Sequence, residues 1–202
     1  MADSYDVILF DLGGVLVELG KSPIPANVKV DESHFSLADW FGSDTAKSFE
    51  KGAIAATEFA AAMISDLKID CSSEQLIDHF TWWPQGMFPQ SGELLRQLRR
   101  NHRLAVLTNT NELHWPRITD EFELEQLVDH IFASHLLAMI KPESEIFHHV
   151  IERLDTEPAS ILFLDDNLNN IQAALELGID ARLVSGIEQV TRTLAMLELI
   201  ED

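Results

Sequence analysis

The 202-residue chain has a single cysteine, Cys71, which excludes an internal disulfide and fits a reducing compartment. It is also poor in basic residues, with 14 Lys and Arg against 34 Asp and Glu and a formal net charge of −20. Binding a nucleic-acid backbone requires a basic face. The one basic cluster, "LRRNHR" at 98–103, falls at the end of an expected surface helix, where the helix dipole favours cations. Nucleic acid is therefore not an expected partner. No run approaches the ~20 apolar residues of a membrane span, so no membrane is expected either. The opening "MADSYDVILFD" has neither the basic start nor the small-residue cleavage site of a secretory signal, and the expectation is a cytoplasmic protein. So acidic a chain repels anions overall. A site for one needs local positive charge from a lysine, a metal ion or backbone N–H groups.

What is present reads as an ordinary soluble core, 46% hydrophobic and 24% charged. Five short β-like runs stand out: "DVILF" (6–10), "RLAVLT" (103–108), "HIFAS" (130–134), "SILFLD" (160–165) and "ARLV" (181–184). Several are apolar at consecutive positions, as in strands covered on both faces. Helical patterns lie between them. In 143–154, Ile146, Phe147, Val150, Ile151 and Leu154 share one face. In 168–177, Ile171, Ala174 and Leu175 precede Gly178, a glycine C-cap. A further helix runs from Glu93 to Arg100. This alternation predicts an α/β fold with a doubly wound parallel sheet. About ninety residues separate Asp11 from the second of these strands, far more than one crossover helix needs. Helical segments fill the interval at roughly 34–49, 57–68 and 72–82, the last opening with Ser72 and Gln75 at capping-box spacing. The chain thus divides into a core (1–18 and 89–202) and a helical subdomain (19–88) inserted after strand one. Its exit, "TWWPQGMFPQ" (81–90), reads as a hinge packed by Trp82 and Trp83.

In an open α/β sheet, ligands bind beyond the carboxyl ends of the strands. After the first strand comes Asp11, in "ILFDLGGVLV"; after the second, "TNTN" (108–111); after the third, "MIKPE" (139–143); after the fourth, "DDNLNN" (165–170). Each alone has a plain structural explanation as a tight turn, a helix cap or a loop entry. Together they bring a carboxylate, a hydroxyl, a lysine and a carboxylate pair to one crevice. That set suits phosphoryl transfer. A carboxylate attacks phosphorus, carboxylates from two strands hold Mg²⁺, and a lysine and hydroxyl take the remaining charge of the transferred group.

These four motifs, in this order, resemble those of the haloacid dehalogenase-like superfamily. They are "FDLGGVLV", "VLTNTN", "IKPESEIF" and "FLDDNLNNIQAA", and the helical insert sits where many members carry a cap domain. The stretch 105–178 is similar to bacterial sugar-phosphate phosphatases of that superfamily, including enzymes acting on glucose 1-phosphate. The resemblance implies a Mg²⁺-dependent phosphatase acting on a small phosphorylated metabolite. It implies that Asp11 is the nucleophile, that Thr108, Asn109 and Lys141 bind the phosphoryl group, and that Lys141 also neutralises the nucleophile. It further implies Mg²⁺ on Asp11, Asp166 and the main-chain carbonyl of Gly13. Asp165 stands either behind these ligands or among them, and Asn170 supports them from behind. His114, in "NTNELHW", has a counterpart in those phosphatases and is a candidate, with Trp115, to border the substrate.

One feature departs from the family pattern. Most phosphatases of the superfamily have a second Asp two residues after the nucleophile, which protonates the leaving oxygen and then activates water. Here that residue is Gly13. Such general acid–base help is typically worth about 10²–10⁴-fold. Three readings remain open: a phosphatase that takes its proton from elsewhere, a non-catalytic binding protein, and a hydrolytic dehalogenase. The Asp165-Asp166 pair argues for metal and so against the last. A receiver domain uses similar residues but places its paired acids on the first strand, the wrong order here. His148-His149 are adjacent on a helix and do not share a face, and Cys71 has no neighbouring base to activate it. Substrate identity and oligomeric state have no signature in the sequence.

Overall fold

A computed structural model describes residues 5–29 and 41–200. Along the chain, β1 (Val7–Phe10) and β2 (Val17–Leu19) are followed by α1 (Asp44–Glu50), α2 (Ala56–Leu67), α3 (Ser73–Thr81) and β3 (Pro84–Met87). Next come α4 (Ser91–Leu98), β4 (Arg103–Thr108), a π-helical turn at Arg117–Glu121, α5 (Leu124–Leu127), β5 (His130–Ala133) and α6 (Ser134–Leu137). The chain then forms α7 (Ser144–Leu154), β6 (Ile161–Asp165), α8 (Leu168–Glu176), β7 (Asp180–Leu183) and α9 (Gly186–Met196). The expected strands match to within a residue at each end. Residues 34–40 of the helix expected over 34–49 lie outside the described residues.

Five strands form one parallel sheet in the order β5-β4-β1-β6-β7. The sheet is doubly wound, as the sequence predicts. In β1 the side chains alternate between two apolar layers. Ile8 and Phe10 join Leu104, Val106, Leu162 and Leu164 under α4 and α9, while Val7 and Leu9 join Ala105, Leu107, Ile161 and Phe163 under α7 and α8. Both faces are covered, which is why β1 and β6 read as unbroken apolar runs. The chain passes from β1 to β4 on one side and later returns to β6 on the other, so β1 is the topological switch point. The crevice at such a point opens over the residue that ends the strand, here Asp11.

The insert has a core of its own. Phe49, Phe59 and Phe80 pack with Met63, Leu67 and Leu76, and the Phe49 and Phe59 rings stack with centroids 4.2 Å apart. The α3 N-terminus carries the expected reciprocal cap, with Ser72 Oγ accepting from Gln75 N and Gln75 Oε1 accepting from Ser72 N. Where the sequence suggests only a hinge, residues 84–87 instead form β3, antiparallel to β2. Proline hides this strand in the sequence because it cannot donate to a ladder, yet Pro84 sits at the strand's first position, where proline is tolerated. Trp83 closes the neck: its Nε1 donates to Gly20 O at 2.8 Å, and Gly20 N donates to Trp83 O at 2.8 Å. Among the described residues, no helix is long and apolar enough to cross a membrane.

Among the bonds that hold the insert against the sheet's C-terminal edge, four stand out. Lys51 pairs with Glu143 at 2.8 Å, and Ser134 Oγ donates to Glu50 O at 2.7 Å. Glu112 Oε1 accepts from Ala56 N at 2.7 Å, supplying the cap that Ala55 cannot. His114 Nε2 bonds Phe80 O at 2.8 Å. Between these bonds Gly52 (φ +69°) backs so closely onto His135 that an added Cβ would lie 2.6 Å from its carbonyl oxygen. Gly52→Ala is therefore expected to lower stability by about 1–3 kcal/mol, read by thermal or denaturant unfolding. Unchanged stability would show that this contact does not hold the insert.

Candidate active site

Asp11 follows directly on β1, held by its backbone N–H donating to Leu164 O at 2.8 Å. The chain then turns sharply. Leu12 O accepts from Leu16 N at 2.9 Å and from Val17 N at 2.8 Å, and Gly14 N donates to Val17 O at 2.8 Å. The two glycines of the motif have different reasons. Gly14 has φ +73°, and a Cβ there would meet Asp166 Oδ2 at 2.3 Å. Gly13 has no such backbone constraint, and its added Cβ would only touch Leu19 Cδ1 at 3.4 Å.

The centre of the site is an ion cluster. Lys141, 4% exposed, places its Nζ 2.7 Å from Asp11 Oδ1 and 2.6 Å from Asp165 Oδ2. Asp165 is fully buried and saturated with donors: Asn167 N at 2.7 Å and Asn170 Nδ2 at 3.0 Å join Lys141. Asp166 stands at the cluster's open side, and carboxylate oxygens of Asp11, Asp165 and Asp166 all lie within 4.8 Å of one another. Three carboxylates face one ammonium, so the cluster carries excess negative charge. Burial pushes the Asp11 carboxyl up to about 7, with Lys141 pulling it down and Asp165 and Asp166 adding to the rise. Asp166 is raised by burial and by Asp165. Burial alone would lower Lys141, but Asp11 and Asp165 raise it, which keeps it an ammonium.

The loop after β4 is clasped to Lys141. Asn109 Oδ1 accepts from Lys141 N at 2.9 Å while its Nδ2 donates to Lys141 O at 3.0 Å. The buried Thr108 ends β4 beside it. Asp11, Gly13, Thr108, Asn109, Lys141, Asp166 and Asn170 line one cavity of about 650 Å³. Its opposite side is built from the neck and the insert, including Leu19, Phe41, Trp83 and Glu50.

His114 also touches this cavity, but both ring nitrogens are engaged, Nδ1 with Asn111 Nδ2 at 3.2 Å and Nε2 with Phe80 O at 2.8 Å. It joins insert to core rather than presenting a free nitrogen. Trp115 packs edge-on against His135. Trp83 stacks on Phe80 in the insert, while Trp82 is half exposed under the Arg117 guanidinium, 4.3 Å from its ring centre. Two groups in the site have no signal in the sequence. Leu19 fills the space beside Gly13, and Glu50 reaches the cavity from the insert only because α1 docks there.

Two expected outcomes follow from this geometry. Gly14→Ala should displace Asp166 and lower stability by about 1–3 kcal/mol, whereas Gly13→Ala should unfold close to the native midpoint, both checked by denaturant unfolding. Equal effects would contradict the close approach at Gly14. Burial pushes His114 down to about 4, below its ordinary 6.5. The unfolded chain therefore binds the extra proton first, and the native state should lose roughly 3 kcal/mol as pH falls from 6.5 toward 4. Replacing His114 with Asn should remove about one proton from that slope, measured as unfolding free energy against pH. An unchanged slope would mean the ring is not buried neutral.

Comparison with known proteins agrees with this geometry. The chain is 28% identical over 180 residues to a sesquiterpene phosphatase of Aspergillus oryzae, covering 89% of each chain. It is 27% identical over 186 residues to a D-ribitol-5-phosphate phosphatase of Bacteroides thetaiotaomicron, covering 86% of this chain and 88% of that one. A crystal structure of a haloacid dehalogenase family enzyme from Bacteroides thetaiotaomicron, in complex with magnesium and inorganic phosphate, superposes with a TM-score of 0.72. The two are 26% identical, and the match covers 89% of this chain and 94% of that one. The family profile of the haloacid dehalogenase-like hydrolases matches residues 5–178, and the chain belongs to that family.

Proposed function

We propose that the chain is a Mg²⁺-dependent phosphatase that hydrolyses a small organic phosphomonoester, such as a sugar phosphate, through an aspartyl-phosphate on Asp11. The observation that carries this reading is the convergence, at the ends of neighbouring parallel strands, of Asp11, Lys141 and the Asp165-Asp166 pair. Two relatives that match along most of their length are phosphatases, a D-ribitol-5-phosphate phosphatase and a sesquiterpene phosphatase, which supports the reaction class and leaves the organic part of the substrate open.

The donor set fits a hard dication. Three carboxylates offer oxygens within 4.8 Å of one another against a single ammonium, and the excess charge is relieved by a divalent ion. Asp11, Asp166 and the carbonyl of Gly13 would hold it, with Asn170 and Lys141 fixing Asp165 behind them. When bound, the ion neutralises phosphate charge and steadies the reacting carboxylate. The other roles belong to this chain's own groups. Asp11 Oδ attacks phosphorus while Lys141, 2.7 Å from that carboxylate, balances charge on nucleophile and phosphoryl group. Thr108 and the backbone N–H of Asn109 hold phosphoryl oxygens. Residues 19–88 form a cap over the core (1–18 and 89–202), and its walls exclude water and select the organic group.

The test is hydrolysis of a panel running from acyl and aryl phosphates through sugar 1-phosphates to sugar 6-phosphates. Turnover should require Mg²⁺, vanish with EDTA, and fall by more than ~10³-fold in Asp11→Asn. Turnover retained in Asp11→Asn would overturn the assignment of the nucleophile. Absence of turnover with metal bound would point to a binding protein that kept the site and lost the chemistry.

A further inference from the structure

Cleaving an alkyl phosphate needs a proton for the departing oxygen, and position 13 cannot give one. Its neighbouring space is closed by an apolar side chain, Leu19, 3.4 Å from where a Cβ would stand. The proton donor must then come from elsewhere on the cavity wall. Among the described residues lining it, Asp11, Asp166 and Lys141 belong to the ion cluster. His114 is neutral with both nitrogens bonded, and Lys47 is an exposed residue of α1 at the cavity's edge and carries no carboxyl. One carboxyl remains, that of Glu50.

Glu50 is the last residue of α1, and its position is firmly set. Its carbonyl accepts from Ser134 Oγ at 2.7 Å, and Lys51 beside it pairs with Glu143 at 2.8 Å. Gly52 backs onto His135 two residues on. Its Oε2 accepts from Asn109 Nδ2 at 3.3 Å, the same amide that donates to Lys141 O. The carboxyl thus sits on the insert side of the cavity, joined through one side chain to the residue after Thr108. Burial there raises it to about 7. Lys141 and the Asn109 bond oppose the rise, and the Asp11 charge adds to it. Such an acid exchanges its proton near neutral pH.

We propose that Glu50 is the proton donor and acceptor of the reaction, in place of the carboxyl missing at position 13. This rests on the phosphatase reading above. In the first step the Asp11 Oδ–P bond forms, the P–OR bond breaks, and the leaving oxygen takes the Glu50 proton to depart as an alcohol. In the second step water attacks phosphorus and gives a proton to the Glu50 carboxylate. The Asp11–P bond breaks, inorganic phosphate leaves, and both carboxyls return to their starting states.

The experiment compares kcat/KM for aryl and alkyl phosphates in the native enzyme and in Glu50→Gln. Glutamine has the same shape and can still accept from Asn109, and a thermal melt checks that the variant is folded. The native enzyme should show a shallow dependence on leaving-group basicity. Glu50→Gln should lose about 10²–10⁴-fold on alkyl phosphates and less than about tenfold on aryl phosphates, and should lose the alkaline limb of its pH profile near neutrality. Equal losses on aryl and alkyl substrates, or no loss, would overturn the role of Glu50, since a merely structural residue does not change leaving-group dependence. A steep native dependence overturns it without any variant. Failure of the native enzyme to hydrolyse any phosphate removes the phosphatase reading itself, and Glu50's role with it.

Discussion

The site depends on one buried ammonium. Lys141 lies between Asp11 and Asp165, three nearly dry groups that belong to three separate stretches of the chain. An unpaired charge in such a place costs several kcal/mol, so each partner requires the others. The pairing also fixes geometry. Asn109 grips both backbone groups of Lys141, and Asn170 and Asn167 grip Asp165. The Asp11 carboxylate is thereby held in one position. What remains is surplus negative charge on the open side, at Asp166, where a dication is the natural complement.

The fold delivers this cluster because parallel strands all end on the same edge. β1 is central, and the chain departs from it on one side and returns on the other, so the ends of β4, β1 and β6 surround one crevice. Between β1 and β4 the chain makes a second small core and lowers it over that edge. The neck β2/β3 and the contacts at Glu50–Gly52, Ala56 and His114 hold the insert there. Core and insert supply different chemistry to the cavity. The core gives the charged wall, and the insert gives Phe41, Trp83 and Glu50.

Much of this was legible from residue order. The unbroken apolar runs of β1 and β6 announce strands covered on both faces, and the polar residues that stop them announce the site. Ser72 and Gln75 announce the start of α3 through chemistry local to four residues. The β3 strand was not legible, because Pro84 and Gly86 carry turn chemistry and only pairing with β2 turns them into a strand. Glu50 was not legible for a similar reason: in "KSFEKG" it reads as one more exposed acid, and only the docking of α1 brings it, half-buried, to the cavity. His114 carried a site-like context in "NTNELHW"; it does line the cavity, and its bonds to Asn111 and Phe80, which also join insert to core, were not legible. Local signals fixed elements and motifs; what depended on the insert meeting the core stayed out of reach.

The central claim is that a phosphoryl group passes through Asp11, and its direct test is to catch it there. The enzyme would be quenched in acid during steady turnover of an aryl phosphate with Mg²⁺, digested, and the peptides weighed. The account predicts one phosphoryl group on the peptide containing Asp11, absent when Mg²⁺ is withheld and absent in Asp11→Asn. Turnover with that peptide unmodified at every quench time, in a protein that binds Mg²⁺, would contradict it and mean that water attacks phosphorus directly.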